Sequence, residues 1–149
     1  MTLKRCEENI HDIIPRKHIV QFISADYRFT DELGKELNNK YYIRDRLLHN
    51  FPVGNGYYFR RCLQTGPILN VVLKYFYWSK ATLHDLEYAL INLRYYCEEH
   101  GIDSLVFTQH SFGEIRWMDA YDLVNDVFSS WYGTISILYD KKTTDDPAA

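Results

Sequence analysis

The chain has 149 residues, with 46% hydrophobic and 25% charged residues and a formal net charge of −3. That balance fits one domain with a sizeable core, and a second domain is not expected. It argues against nucleic-acid binding as the main task, which needs a basic footprint, although Arg60-Arg61 is a local basic pair. Cys6, Cys62 and Cys97 are unpaired in spacing, so neither a disulfide framework nor a zinc site is called for. A reduced compartment, cytoplasmic or nuclear, is expected. The first six residues lack the apolar run of a signal peptide, and no stretch has the length of a membrane span. The 13 tyrosines are expected chiefly to thicken the core, since a buried ring can keep its hydroxyl wet.

In chain order, Leu3 to Cys6 reads as a short strand, and Ile10, Ile13 and Ile14 fit a helical turn as well as a strand. His18 to Ile23 is a nearly continuous apolar run, the mark of a central strand covered on both faces. A polar segment through Ser24, Asp26 and Arg28 follows, then Thr30 as N-cap of a helix with Leu33, Leu37 and Tyr41 on one face. Asp31 and Glu32 fall in its first turn, where carboxylates favour the helix dipole. Leu47-Leu48 anchors a second short helix. Gly54-Asn55-Gly56 spells Gly-x-Gly but lacks the strand, the helix and the third glycine of a phosphate loop, so it reads as a plain turn.

Tyr57 to Leu63 and Ile68 to Tyr77 read as two strands of an antiparallel hairpin turning at Gly66-Pro67. Thr82-Leu83-His84-Asp85 is a capping box, and it opens the clearest helix, with Leu83, Leu86, Leu90, Leu93 and Cys97 on one stripe and Gly101 at its end. Leu105-Val106-Phe107 is a buried strand that breaks into His110 to Glu114 before a helix carrying Trp117, Ala120, Tyr121 and Val124. Thr134 to Tyr139 is a last, alternating strand with one wetter face, and residues 141–149 form a polar tail to a single domain spanning 1–140.

Chemistry is thinly signalled. The six histidines show no ligand spacing, so no metal is expected, and His110 alone stands at a strand end. Ser111 lacks the glycines of a nucleophile elbow. Lys74 interrupts an apolar strand, where an amine must reach water, a carboxylate or a pocket; a polar edge-strand position explains it equally well. No cofactor is called for.

From about Glu8 to Tyr139 the order of segments resembles the macro domain, in particular the branch of small ADP-ribose glycohydrolases acting on ADP-ribosylated glutamate. Ile23-Ser24-Ala25-Asp26-Tyr27-Arg28 resembles that branch's Ile-Ser-Glu-Asp-Cys-Arg, and Lys80-Ala81-Thr82-Leu83 its Lys-Pro-Thr-Tyr. Trp117, Val127-Phe128 and Ile135-Ser136-Ile137 match its last helix and strand. The resemblance implies a three-layer α/β/α sandwich over a mixed sheet, and it places Lys74 on the family's nucleophile.

The ligand loops depart from the pattern. Where the family has a glycine-rich diphosphate loop, this chain has Phe29-Thr30-Asp31-Glu32, two carboxylates where an anion should sit. At roughly 6 Å and an effective dielectric near 20, each carboxylate–phosphate pair costs about 3 kcal/mol. A micromolar ligand has only about 8 kcal/mol in total. The family's Ile-Gly-Cys-Gly-Leu-Asp becomes His110-Ser111-Phe112-Gly113-Glu114, so its catalytic aspartate falls on Gly113 or on Glu114. The adenine-binding Gly-Asp becomes Glu8-Asn9. The expectation is a macro-like domain that has lost canonical ADP-ribose binding and catalysis and serves as an interaction module for a protein partner, with Tyr75-Phe76-Tyr77-Trp78 as a contact segment or a buried strand end. Two alternatives stand beside it: an active glycohydrolase with Lys74 as nucleophile and Glu114 as general acid/base, and a binder of a different nucleotide-like ligand.

Overall fold

The computed structural model describes residues 1–7, 9–14, 16–53, 56–108, 112 and 114–138. The chain runs β1 (Thr2–Cys6), α1 (Ile10–Ile13), β2 (His18–Ser24), α2 (Glu32–Tyr41), α3 (Ile43–Asn50), β3 (Cys62–Thr65), β4 (Ile68–Lys74), α4 (Leu83–His100), β5 (Ser104–Thr108), α5 (Trp117–Val127) and β6 (Thr134–Leu138). Among the described residues the strands form one mixed sheet, ordered β1-β6-β5-β2-β4-β3, parallel except for the β3–β4 hairpin. Gly66, at φ +60, supplies the left-handed turn position of that hairpin.

Alternation along the central strands splits the core into two layers. Val20, Leu69, Val71, Leu105 and Phe107 pack under α4 and α5, whereas Ile19, Ile23, Ile68, Val72 and Val106 pack under α1, α2 and α3. This is the expected α/β/α sandwich. Of the expected α4 stripe, Leu86, Leu90, Leu93 and Cys97 are fully buried, each leucine contributing about 2 kcal/mol, whereas Leu83 at the helix start is exposed. On the opposite layer, Gln21 Nε2 donates to Asn70 Oδ1 (2.6 Å), and Asn70 Nδ2 donates to Leu63 O and Thr65 Oγ1 (both 2.9 Å). The buried amides are thereby partnered, and they lock the register of β2, β4 and β3.

Several expectations are corrected. The residues before Cys62 form turns rather than strand, and β4 stops at Lys74 instead of Tyr77. The N-cap of α2 is Asp31, not Thr30, because the Asp31 carboxylate accepts the Gly34 N–H. The wetter face of β6 is wet only at its ends: Thr134 and Leu138 are half-buried with Ser136 buried between them, and Ile135 and Ile137 on the other face are buried. Among the described tyrosines only Tyr27 is buried, since most sit on turns and helix backs where the hydroxyl reaches water. The ambiguous N-terminal segment resolves into strand β1 and helical turn α1. The expected polar tail, and Gly54-Asn55 of the Gly-x-Gly turn, lie outside the described residues.

Candidate functional site

The parallel strands β2, β4 and β5 end on the same side of the sheet, and a cleft opens there. Its base is apolar, from Phe22, Leu73, Ala81 and Phe112; its rim is polar, from Ser24, Arg28, Thr30, Asp31, Lys74 and Glu114. The volume among the described residues is about 100 Å³, room for several waters or a small anion.

The β2–β4 register slips at the cleft: Ile23 pairs with Val72, but Ser24 pairs with Lys74. The extra residue, Leu73, is a bulge, so the consecutive Leu73 and Lys74 both line the cleft. Lys74 is therefore neither mid-strand nor on an edge strand. It closes β4 with its side chain 22% exposed, and its Nζ lies 3.9 Å from Glu114 Oε1, whose side chain is 50% exposed. Two residues separated by 40 positions in sequence meet there; with both partly solvated, the pair contributes under about 1 kcal/mol to stability. Phe112 is buried, its ring centre 4.9 Å from that of Phe22, which seats this side chain in the base of the cleft.

The turn after β2 is held from three sides. Ser24 Oγ donates to Asp26 Oδ1 (2.5 Å), and Asp26 Oδ2 accepts the Tyr77 N–H (3.1 Å), tying this turn to the segment following β4. Tyr27 sits at φ +54, a conformation costly for a bulky residue, with its ring buried and its hydroxyl donating to Phe51 O (2.8 Å). Burial, assisted by nearby Tyr58, pushes its phenol up to about 12. Arg28 is exposed beyond this anchor, its guanidinium 5.6 Å from the Tyr77 ring centre.

Asp31 occupies the start of α2, its Oδ2 accepting the Gly34 N–H at 3.2 Å. A Cβ at Gly34 would lie 2.4 Å from Asp31 Oδ1, so the glycine makes room for the carboxylate to fold over the helix end. Glu32, grouped with Asp31 in the sequence reading, is exposed in the first helical turn and does not line the cleft. Asp26 likewise faces a neighbouring groove instead. His110, Ser111 and Gly113 lie outside the described residues, as does Glu8; Asn9 caps α1 by accepting the His11 N–H (2.9 Å). The cleft roles of Tyr77 and Phe22 carried no sequence signal, because nothing in a run of aromatics tells which ring turns toward a strand end.

Tyr75, Phe76, Tyr77 and Trp78 are all exposed, so this segment is not a buried strand end. Phe76 and Trp78 stack on each other, 5.1 Å apart and 3° from parallel. Among the described residues no group of three or more histidine, cysteine or carboxylate side chains could hold a metal, and no helix is long and apolar enough to cross a membrane.

No sequence-family model and no curated protein matches the chain. In structure it is similar to the macrodomain of Thermus aquaticus DarG, with a TM-score of 0.71, 13% identity, and coverage of 93% of this chain and 98% of that one. The macrodomain of Mycobacterium tuberculosis DarG gives a TM-score of 0.72 at 13% identity, covering 95% and 99%. Thermosipho africanus DarTG in complex with ADP-ribose gives 0.68 at 10% identity, covering 89% of this chain and 40% of that longer one. With TM-scores of 0.71, 0.72 and 0.68 to these neighbours over 93%, 95% and 89% of its length, the chain has the macrodomain fold.

Proposed function

We propose that this macrodomain-fold chain no longer cradles a diphosphate at the start of α2 and works by contact with a protein partner. One observation carries the reading: the Asp31 carboxylate accepts the Gly34 N–H, so a fixed negative charge occupies the helix end where a phosphate would need both the N–H groups and the dipole. The exposed Tyr75 to Trp78 segment beside the cleft supplies aromatic area of the kind enriched at interfaces.

The test is calorimetric titration with ADP-ribose, the ligand held by the Thermosipho africanus structure. The unaltered chain is expected to give no binding heat, and Asp31→Gly is expected to gain an affinity in the micromolar range, worth about 8 kcal/mol. Binding of ADP-ribose by the unaltered chain would overturn the reading.

The Lys74–Glu114 pair favours a second reading, an ADP-ribosyl-glutamate glycohydrolase. Lys74 would attack the ribose carbon that carries the glutamate ester, breaking its bond to the ester oxygen and releasing the glutamate carboxylate; Glu114 would take the amine's proton, and water would then hydrolyse the lysine–ribose adduct to free ADP-ribose. A lysine amine attacks only once deprotonated, so the pair needs substrate to complete the site. This reading predicts that Lys74→Ala abolishes release of ADP-ribose from modified glutamate, measured by loss of label, with a stability change under about 1 kcal/mol.

A further inference from the structure

A second groove opens on the far side of Arg28 and Tyr77 from the Lys74–Glu114 cleft, and the two share Arg28, Phe29, Thr30 and Tyr77 in their walls. It has a volume of about 500 Å³, and none of the residues lining it is acidic. Three cations from three elements converge on it: Arg28 from the turn after β2, Lys35 from α2 and Arg44 from α3. All three are exposed, and none forms an ion pair among the described residues.

The groove is preorganised. Arg44 Nε donates to Tyr27 O (3.1 Å), so the same buried tyrosine that sets the turn also aims this guanidinium. Asn38 Oδ1 accepts the Arg44 N–H (2.7 Å), which leaves the amide NH2 of Asn38 as the end that can donate outward. Asn39 adds a second amide, and Phe29 and Tyr77 give an apolar wall. One held guanidinium, two further exposed cations, neutral donors and no carboxylate among the lining residues are complementary to a chain of carboxylates on a peptide backbone.

We infer that this groove binds an acidic, extended segment of a partner protein. The inference rests on the protein-contact reading above and names the chemistry of the partner. A single-stranded nucleic acid fits less well, because such sites set out successive open rings, and Tyr77 is already engaged by Arg28.

The probe is fluorescein-labelled hexaglutamate, titrated with the full chain at low salt and followed by anisotropy, beside labelled hexathymidylate and hexalysine. Hexaglutamate is expected to bind and to be released as salt rises from about 0.05 to 0.3 M, as a screened interaction requires. Lys35→Glu/Arg44→Glu is expected to weaken it about tenfold or more, whereas Lys4→Glu/Lys17→Glu, with the same change in net charge, leaves it unaltered. Should the reversal variant fail to fold, Lys35→Gln/Arg44→Gln is expected to show the same loss in smaller degree. No hexaglutamate binding, an equal loss in the control variant, or stronger binding of hexathymidylate through the same two cations would each overturn the inference. ADP-ribose binding by the unaltered chain would overturn the functional reading alone, so the two failures are distinguishable.

Discussion

At two helix N-termini among the described residues an aspartate carboxylate accepts a backbone N–H, and the two sites use it in opposite ways. At α4, Thr82 caps the helix by accepting the Asp85 N–H, and Asp85 accepts the Thr82 N–H in return, completing a capping box. Asp85 Oδ1 also takes Arg60 Nη2 at 2.6 Å, and Arg60 lies over the rings of Phe59 and Tyr88. That carboxylate is fully committed to structure, joining the β3 approach to α4. At α2, Asp31 has the Gly34 N–H and no cation among the described residues, and it lines a cleft. The same chemical group is a fastener where a cation and a cap surround it, and in the proposed reading a plug where only the helix end does.

Removing each carboxylate separates the two roles. Asp85→Ala is expected to cost about 2–3 kcal/mol, since it undoes the box and leaves the half-buried Arg60 unpaired; urea unfolding reads this as a lower midpoint at unchanged slope. Asp31→Ala is expected to cost only about 1 kcal/mol, the worth of one cap. If the Asp31 variant proved the less stable of the two, its carboxylate would be a fastener as well, and the plugged-site view would fail.

The pH dependence of stability adds a further separation. Burial works to raise the Asp85 carboxyl, but hydrogen bonds from Arg60 and Thr82 and the charge of Arg60 outweigh it and hold the group below its ordinary value of 3.8. A lowered folded-state value means this stabilisation is fully present above pH 3.8 and is lost as pH falls through the lower folded value. Asp85→Asn should therefore flatten the stability profile in that acid window alone. Tyr27 supplies the alkaline counterpart. Its value is raised from 10.0 to about 12, so its contribution is lost as pH climbs across that interval, and Tyr27→Phe should unfold later there.

Much of the scaffold was legible in the residues. The continuous run His18 to Ile23 marked the central strand, Thr82 to Asp85 marked the start of α4, and Gly101 its end, because burial on two faces, capping and left-handed backbone are local demands on residue type. The order of segments was enough to expect the sandwich. Strand ends were less legible: apolar residues continue past Lys74, and only the partner strand decides where pairing stops.

The candidate site was legible as a set of positions and not as an arrangement. The residues themselves set Lys74 apart, the family resemblance added Arg28, Asp31 and Glu114, and Asp31 and Glu32 were treated as equals. Tertiary structure divided those two, since Asp31 is the extended N-cap whose carboxylate folds over the helix end beside the cleft, whereas Glu32 is the first helical residue and points elsewhere. It also brought Lys74 and Glu114 within 3.9 Å and gathered Arg28, Lys35 and Arg44 around one groove. Proximity between side chains on separate elements depends on strand register and on the bulge at Leu73, which are properties of pairing between segments rather than of any segment by itself.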